Sequence, residues 1–263
     1  MHSGDDTEYY LKKGFRVVAI EANPDLVQKT QKRLAASIHA GQLEIIDAAI
    51  SSYDGETTFY QNVNKDDWGT TSPEFARATE QAGTTHKLFT VRCMRFERIL
   101  ERVGVPYYLK IDIEGSDVLC LQALQQFARR PRYVSIEAGG KFPEAFTQIS
   151  LFWVLGYRQF KIVNQAVNGL IRCPNPPLEG AYVNHKFSDF SSGPFGEETP
   201  GHWMNIEEHL DKLRAILRQQ AFINSGKTRI QKLFLRAYNR ARRSAGFDPI
   251  GWYDIHARYP DEV

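Results

Sequence analysis

Two spacings of hydrophobic residues alternate along the first two thirds of the chain: short continuous apolar runs, and stretches with an apolar residue every three or four positions. A short run bounded by turn residues predicts a buried strand, and the wider spacing predicts a helix that packs one face on a sheet. The predicted strands cover residues 16–21, 43–47, 57–60, 88–93, 107–113, 133–137 and 159–163. Strands and helices in alternation predict an α/β fold with a mostly parallel sheet.

Helices are predicted between most of these strands. Asn23 can cap the first of them, Pro24 suits its first position, and Gly41 can end it. Apolar residues that share a face predict further helices over residues 96–103, 118–124, 146–154, 206–217 and 230–241.

The last third of the chain differs in composition. Prolines and glycines break up residues 174–201, so we expect one domain over residues 1–170 and a loop-rich, α-helical extension over residues 171–263. Seven basic residues and no acidic one lie between Lys227 and Arg243; since the whole chain carries a net charge of +2, removing these seven leaves −5 for the rest. This basic helix could be a solvated face, or it could make weak contact with a membrane surface or an acidic glycan. Without a stacking motif beside it, nucleic acid is not favoured.

Composition excludes several classes of protein. With 42% hydrophobic and 24% charged residues among 263, the chain is globular rather than disordered or collagen-like. No apolar run approaches the roughly 18 residues of a transmembrane span, and the N-terminus lacks the features of a secretory signal. We therefore expect a cytoplasmic protein. The cysteines lie far apart and the histidines lack metal-ligand spacing, so we expect no disulfide framework and no metal site.

Four of the predicted strands end in a carboxylate, namely Glu21, Asp47, Asp112 and Glu137. Because ligands bind outside the carboxyl ends of parallel strands, we expect these groups to line one small-molecule site. A carboxylate about 20 residues after a glycine turn can accept both hydroxyls of an adenosine ribose. Glu21 follows Gly4 by 17 residues. Any one of the four carboxylates could instead cap a helix or face solvent without binding a ligand.

Three segments carry a resemblance to a known family. RVVAIEANPDLV from residue 16, LEIIDAAISSYDGETTFY from residue 43 and YYLKIDIEGSDVLCLQAL from residue 107 resemble the FkbM-type methyltransferases. These are S-adenosylmethionine-dependent enzymes with a Rossmann-like, doubly wound sheet of the class I methyltransferase type. The resemblance covers about residues 4–137 and is most specific in KIDIEG and IEANP.

The resemblance implies a role for each matching residue. Gly4, Asp6 and Thr7 would belong to the first cofactor loop, and Glu21 would bind the ribose diol. Two neighbouring residues, Asp47 and Ala48, would lie beside the adenine. The carboxylate of Asp112 would lie near the methionine or acceptor end of the site.

The resemblance also implies that a strand is missing. Family members carry an apolar first strand that ends in Asp-x-Gly, directly before the point at which this chain begins, and MHSGDDT matches the second half of that motif. We therefore expect the chain to lack its first central strand, through a start at an internal Met or a truncation. The alternative is a complete chain in which another segment fills the gap, because an unfilled gap would leave backbone groups of the neighbouring strands unpaired.

The implied reaction moves a methyl group from a sulfonium to an oxygen of a small-molecule or glycan hydroxyl. Since its leaving group is a neutral thioether, alignment and partial desolvation of the reactants can supply most of the acceleration. A general base is needed only if the hydroxyl is not already acidic, and Asp112 and Glu137 are the candidates by position. Either could instead hold the cofactor or cap a helix.

Two other functions stay open. A dinucleotide-dependent oxidoreductase would share the sheet and Glu21, but it should show G-x-G-x-x-G, whose second and third glycines HSGDDT lacks. A non-catalytic interaction module would keep the methyltransferase-like fold and lose the cofactor loop.

Overall fold

The structure is a computed structural model that describes residues 3–64, 69–113, 115–188, 191–224, 237–242, 244–246 and 248–260. The chain forms two compact units. Unit 1 comprises Met1–Tyr107, Ile111–Pro131 and Cys173–His185, and unit 2 comprises Tyr108–Lys110, Arg132–Arg172 and Lys186–Val263. The sequence predicts a domain boundary between residues 170 and 171. The two units do not divide the chain there, and the predicted domain boundary stays a prediction.

Strands and helices alternate over most of the described chain, so the predicted α/β class is confirmed. The helices are α1 (Asp5–Lys12), α2 (Pro24–Arg33), α3 (Ala35–His39), α4 (Pro73–Gln81), α5 (Phe96–Val103), α6 (Asp117–Leu124), α7 (Phe142–Val154) and α8 (Ile206–Asn224). The strands are β1 (Val17–Glu21), β2 (Leu43–Asp47), β3 (Ala49–Ile50), β4 (Gly55–Asn62), β5 (His86–Met94), β6 (Tyr108–Ile111), β7 (Tyr133–Glu137), β8 (Gln159–Asn164) and β9 (Tyr253–Arg258).

Strands β1 and β2 form a parallel pair in unit 1. Leu11, Ala19, Leu34 and Leu43 make a buried core that joins this pair to the helices around it. The helix expected to run as far as Gly41 is interrupted at Leu34, whose backbone leaves the helical region (φ −109°, ψ 24°) and divides α2 from α3.

A second sheet of unit 1 has the order β3-β5-β4. Strand β5 pairs in parallel with β3 and antiparallel with β4. Ala49, Phe59, Val91 and Cys93 pack into one buried cluster behind it. Strands β2 and β3, one residue apart in the sequence, thus belong to different sheets.

The sheet of unit 2 has the order β6-β7-β9-β8. Strand β9 lies between β7 and β8 and is antiparallel to both, so that Ile255 faces Ile136 on one side and Ile162 on the other. Among the described residues the sheets are thus mixed, and the expected mostly parallel sheet is corrected in this respect. The extension that was expected to consist of loops and helices also supplies a central strand.

Two further expectations concern the ends of the chain. The basic helix was predicted over residues 230–241, of which 230–236 lie outside the described residues and 237–241 are helical. The expected absence of a first central strand stays a prediction. No helix in the described part of the chain is long and apolar enough to cross a membrane.

Two histidines in unit 2 are fully buried. His209 of α8 packs its ring 5.2 Å from that of Phe160, and His256 of β9 is the register partner of Lys161. In the described structure, no ring nitrogen of His209 or His256 has a hydrogen-bond partner. Burial lowers the pKa of both histidines from 6.5 to about 3, helped at His209 by Lys212 and at His256 by Lys161 and Lys110.

We predict that these histidines make the chain sensitive to acid. Because the folded pKa lies below the unfolded value of 6.5, their contribution to stability is complete above pH 6.5 and is lost as the pH falls towards about 3. Each can steepen the fall in the free energy of unfolding by up to about 1.4 kcal/mol per pH unit. Urea unfolding between pH 7.5 and pH ~4 should give a shallower slope for His209→Leu and for His256→Leu than for wild type. The exposed His39→Gln is the control; wild-type slopes in both leucine variants would contradict the prediction.

Candidate functional site

The carboxyl ends of β1 and β2 bring together three of the predicted site residues. Glu21 and Asp47 are partners in the parallel register, so the two strand-ending carboxylates lie side by side as the sequence predicts. The backbone N–H of Ala48 donates to the Glu21 carbonyl at 3.1 Å, and Ala48 is 1% exposed. An edge formed by Glu21, Asp47 and Ala48 is therefore present in unit 1.

The Glu21 carboxylate is held in place by the turn that follows β1. Its Oε1 accepts the backbone N–H of Asn23 at 2.9 Å. Asn23 is buried and caps α2 by accepting the N–H of Asp25 at 3.0 Å, while its amide donates to the Gln61 side chain. The sequence identified Asn23 only as a helix cap, and the structure adds that the same turn orients Glu21.

The predicted cofactor residues Gly4, Asp6 and Thr7 lie at the start of α1. Gly4 adopts φ +80° and precedes the helix, whereas Asp6 and Thr7 lie in its first turn and not in a loop. A methyl group added at Gly4 would lie 3.0 Å from Cγ2 of Thr30, so α1 begins in contact with α2. Arg33 of α2 reinforces this contact through ion pairs with acids of the same turn.

Asp112 follows β6 and is exposed. The loop after it is organised by Asp117, whose carboxylate accepts the backbone N–H of Ile113 at 2.9 Å and that of Gly115 at 3.2 Å. Burial raises the pKa of Asp117, the two backbone hydrogen bonds oppose that rise, and the charge of Asp112 adds to it. Sequence reasoning missed Asp117, although an acid in the first turn of α6 was visible.

Glu137 ends β7 in unit 2, where it is exposed and lies opposite Asp254 of β9. Its carbonyl accepts the side-chain amide of Gln148 at 2.8 Å, and the Gln148 oxygen accepts the N–H of Gly139 at 3.0 Å. Gln148 thus fixes the chain after β7, a support that sequence reasoning also missed. The expectation that Asp112 and Glu137 share one edge with Glu21 and Asp47 stays a prediction.

Comparison with protein families identifies the chain. Residues 1–162 match the model described as the methyltransferase FkbM domain. The chain belongs to the FkbM methyltransferase family. Comparison with curated proteins and with solved structures found no match. The resemblance seen in the sequence is confirmed, and family membership supports a methyltransferase activity.

The FkbM domain includes every predicted site residue, from Gly4 to Glu137. Its match ends inside β8, so α8 and β9 lie beyond it. Within the described residues, no three His, Cys, Asp or Glu side chains are grouped so that they could hold a metal ion. In unit 1, backbone N–H groups hold the carboxylates of Glu21 and Asp117.

We predict that Asp117→Ala loosens the loop after Asp112. The change leaves the N–H groups of Ile113 and Gly115 without their acceptor, which costs about 1–3 kcal/mol when such groups are shielded from water. Hydrogen exchange measured by NMR should speed up at these two amides.

The control is Asp112→Ala, which removes the neighbouring exposed carboxylate and leaves both hydrogen bonds in place. Equal exchange rates at Ile113 and Gly115 in the Asp117 variant and in wild type would show that Asp117 does not hold this loop.

Proposed function

We propose that this protein is an S-adenosylmethionine-dependent methyltransferase that methylates the oxygen of a small-molecule or glycan hydroxyl. The observation that supports this most directly is the pair of strand ends in unit 1. Glu21 and Asp47 end adjacent parallel strands, and the Glu21 carboxylate is oriented by the Asn23 N–H. Membership of the FkbM methyltransferase family supplies the type of reaction.

The residues of unit 1 fit the nucleoside part of this cofactor. A carboxylate can accept two hydroxyl hydrogens, which is the pattern that a ribose diol offers. Glu21 is only partly exposed and already fixed, so little side-chain entropy would be lost when it binds the diol. Asp47 and the buried Ala48 would flank the adenine. The other proposed cofactor-binding residues are Gly4, Asp6, Thr7 and Asp112. When bound, S-adenosylmethionine supplies an electrophilic methyl group on a sulfonium.

Asp112 and Glu137 are the proposed catalytic residues for the acceptor hydroxyl. Either carboxylate could accept a hydrogen bond from that hydroxyl, orient its oxygen, and take its proton as the new oxygen–carbon bond forms. Asp112 is the better supported of the two, because Asp117 fixes the loop that follows it. Orientation is the main requirement, since methyl transfer to a well-placed oxygen gains most from alignment.

We predict that Glu21→Gln weakens binding of S-adenosylhomocysteine. The amide keeps one acceptor and loses the charge that strengthens both hydrogen bonds to a diol. Loss of about 1.5–3 kcal/mol of charged hydrogen bonding corresponds to roughly 10- to 150-fold weaker binding. Titration calorimetry on the wild-type chain and on the variant measures this directly.

The matched control is Glu44→Gln. Glu44 lies on β2, away from the strand end, and pairs with Arg16 and Arg102. Its loss should leave the dissociation constant unchanged. Equal affinity of wild type and Glu21→Gln would refute the ribose role of Glu21. No heat with the wild-type chain would refute the cofactor, and heat with NAD in its place would favour a dinucleotide-dependent oxidoreductase.

A further inference from the structure

A groove lies on one face of the β4–β5 hairpin in unit 1. It is shallow and largely open to solvent, and its volume is about 360 Å³, where small-molecule sites measure roughly 300–1,000 Å³. Glu56, Thr58 and Tyr60 of β4 line it together with Thr90 of β5. Thr90 is the register partner of Thr58, so these four side chains stand on one face of the sheet. Thr57, which belongs to the other face, also lines the groove.

The alternation along the hairpin explains why this face is polar. Phe59 and Val91, one position away from these threonines, point into the buried cluster behind the sheet and are 5% and 8% exposed. Successive residues of a strand face opposite sides, so Thr58 and Thr90 face outward, and both are exposed. The hairpin thus has an apolar inner face, and an outer face that carries the hydroxyls of Thr58 and Thr90 together with Leu88 and Arg92, the register partners of Tyr60 and Glu56.

The walls of the groove add an aromatic ring and a further hydroxyl. Tyr53 donates its hydroxyl to the Glu56 carbonyl at 3.2 Å, which fixes a ring that is 49% exposed. Thr71, just before α4, also lines the groove, and its neighbour Thr70 forms an antiparallel bridge with Tyr60 of β4. The hydroxyls of Thr58, Thr71 and Thr90 make no hydrogen bond to any other residue in the described part of the chain.

This combination matches a carbohydrate better than other ligands. Each sugar hydroxyl both donates and accepts, as a threonine hydroxyl does, and a carboxylate such as Glu56 accepts. The C–H face of a sugar ring is apolar and can cover an aromatic face such as that of Tyr53. The described lining contains the Glu56 carboxylate and no Lys or Arg, while Arg92, the register partner of Glu56, stands on the same face outside the lining. An apolar ligand would bury the hydroxyls of the lining without partners.

The groove adjoins the loop that follows Asp112. Ser72 lies between two lining residues, Thr71 and Pro73, and caps α4. A methyl group added at Gly115 would lie 3.5 Å from Cβ of Ser72, so the loop passes close to the start of α4. A ligand in the groove would therefore lie next to the segment that carries a proposed catalytic carboxylate.

We propose that this groove is the acceptor subsite and that it binds a neutral carbohydrate. The acceptor role rests on the proposed methyltransferase function, whereas carbohydrate binding by the groove does not.

The test uses the full chain and two separate measurements. Saturation-transfer difference NMR with the methyl α-glycosides of glucose, galactose, mannose and rhamnose, and with maltotriose, measures binding to the groove. Calorimetry with S-adenosylhomocysteine on the same samples measures the cofactor site. The variant Thr58→Val/Thr90→Val removes two hydroxyls and keeps two β-branched side chains that favour a strand. The control is Thr85→Val. It removes an exposed hydroxyl from the residue directly before β5, outside the groove.

We expect at least one glycoside to receive saturation from wild type and from Thr85→Val. The double variant should bind it about tenfold more weakly or worse, since each lost hydrogen bond contributes about a factor of three or more. Affinity for S-adenosylhomocysteine should be the same in all three chains. If no member of the panel binds, or if the double variant binds as wild type does, the groove proposal is overturned. If glycosides bind the groove and S-adenosylhomocysteine does not bind the wild-type chain, carbohydrate binding stands and the acceptor role fails together with the proposed function.

Discussion

The parallel register of β1 with β2 is the constraint on which the candidate cofactor site depends. It pairs Val17 with Leu43 at one end and Glu21 with Asp47 at the other. A slip of one residue would turn every side chain of one strand to the opposite face, and so would take Ala19 or Leu43 out of the core they share with Leu11 and Leu34. The hydrophobic core thereby decides that two carboxylates end side by side.

Much of this arrangement could be predicted from the sequence because it depends on local signals. The β-branched run before Glu21 and the Asn-Pro pair after it mark a strand end and a helix start within a few residues. Strand β9 could not be predicted in the same way. Its sequence, YDIHAR, places Asp254 and His256 at buried positions, and only the strands on both sides make this segment a strand. YDIHAR does alternate apolar and polar residues as a strand does, but its partners lie about 90 to 125 residues earlier in the chain, and nothing local identifies them.

In the candidate site, too, some features could be predicted from the sequence and others depend on the fold. The carboxylates that end the strands were visible as residue types at predicted positions, whereas the groups that hold them were not. Asp117 binds N–H groups two and four residues before it, and Gln148 spans the turn between β7 and α7. Each contact depends on the backbone path of a turn, which composition does not encode. The threonines on the outer face of β4 and β5 looked like ordinary strand residues for the same reason.

These supports share one physical form, a side-chain oxygen that accepts a backbone N–H at the end of a strand. Glu21 does this for Asn23, Asp117 for Ile113 and Gly115, and Gln148 for Gly139. Each contact favours one conformation of its turn, because an N–H that is shielded from water without an acceptor costs about 1–3 kcal/mol. The proposed methyl transfer needs alignment more than it needs a strong acid or base. A site built from turns that are fixed by hydrogen bonds meets that requirement, because the turns that carry its residues are ordered when the chain folds and not when the ligand binds.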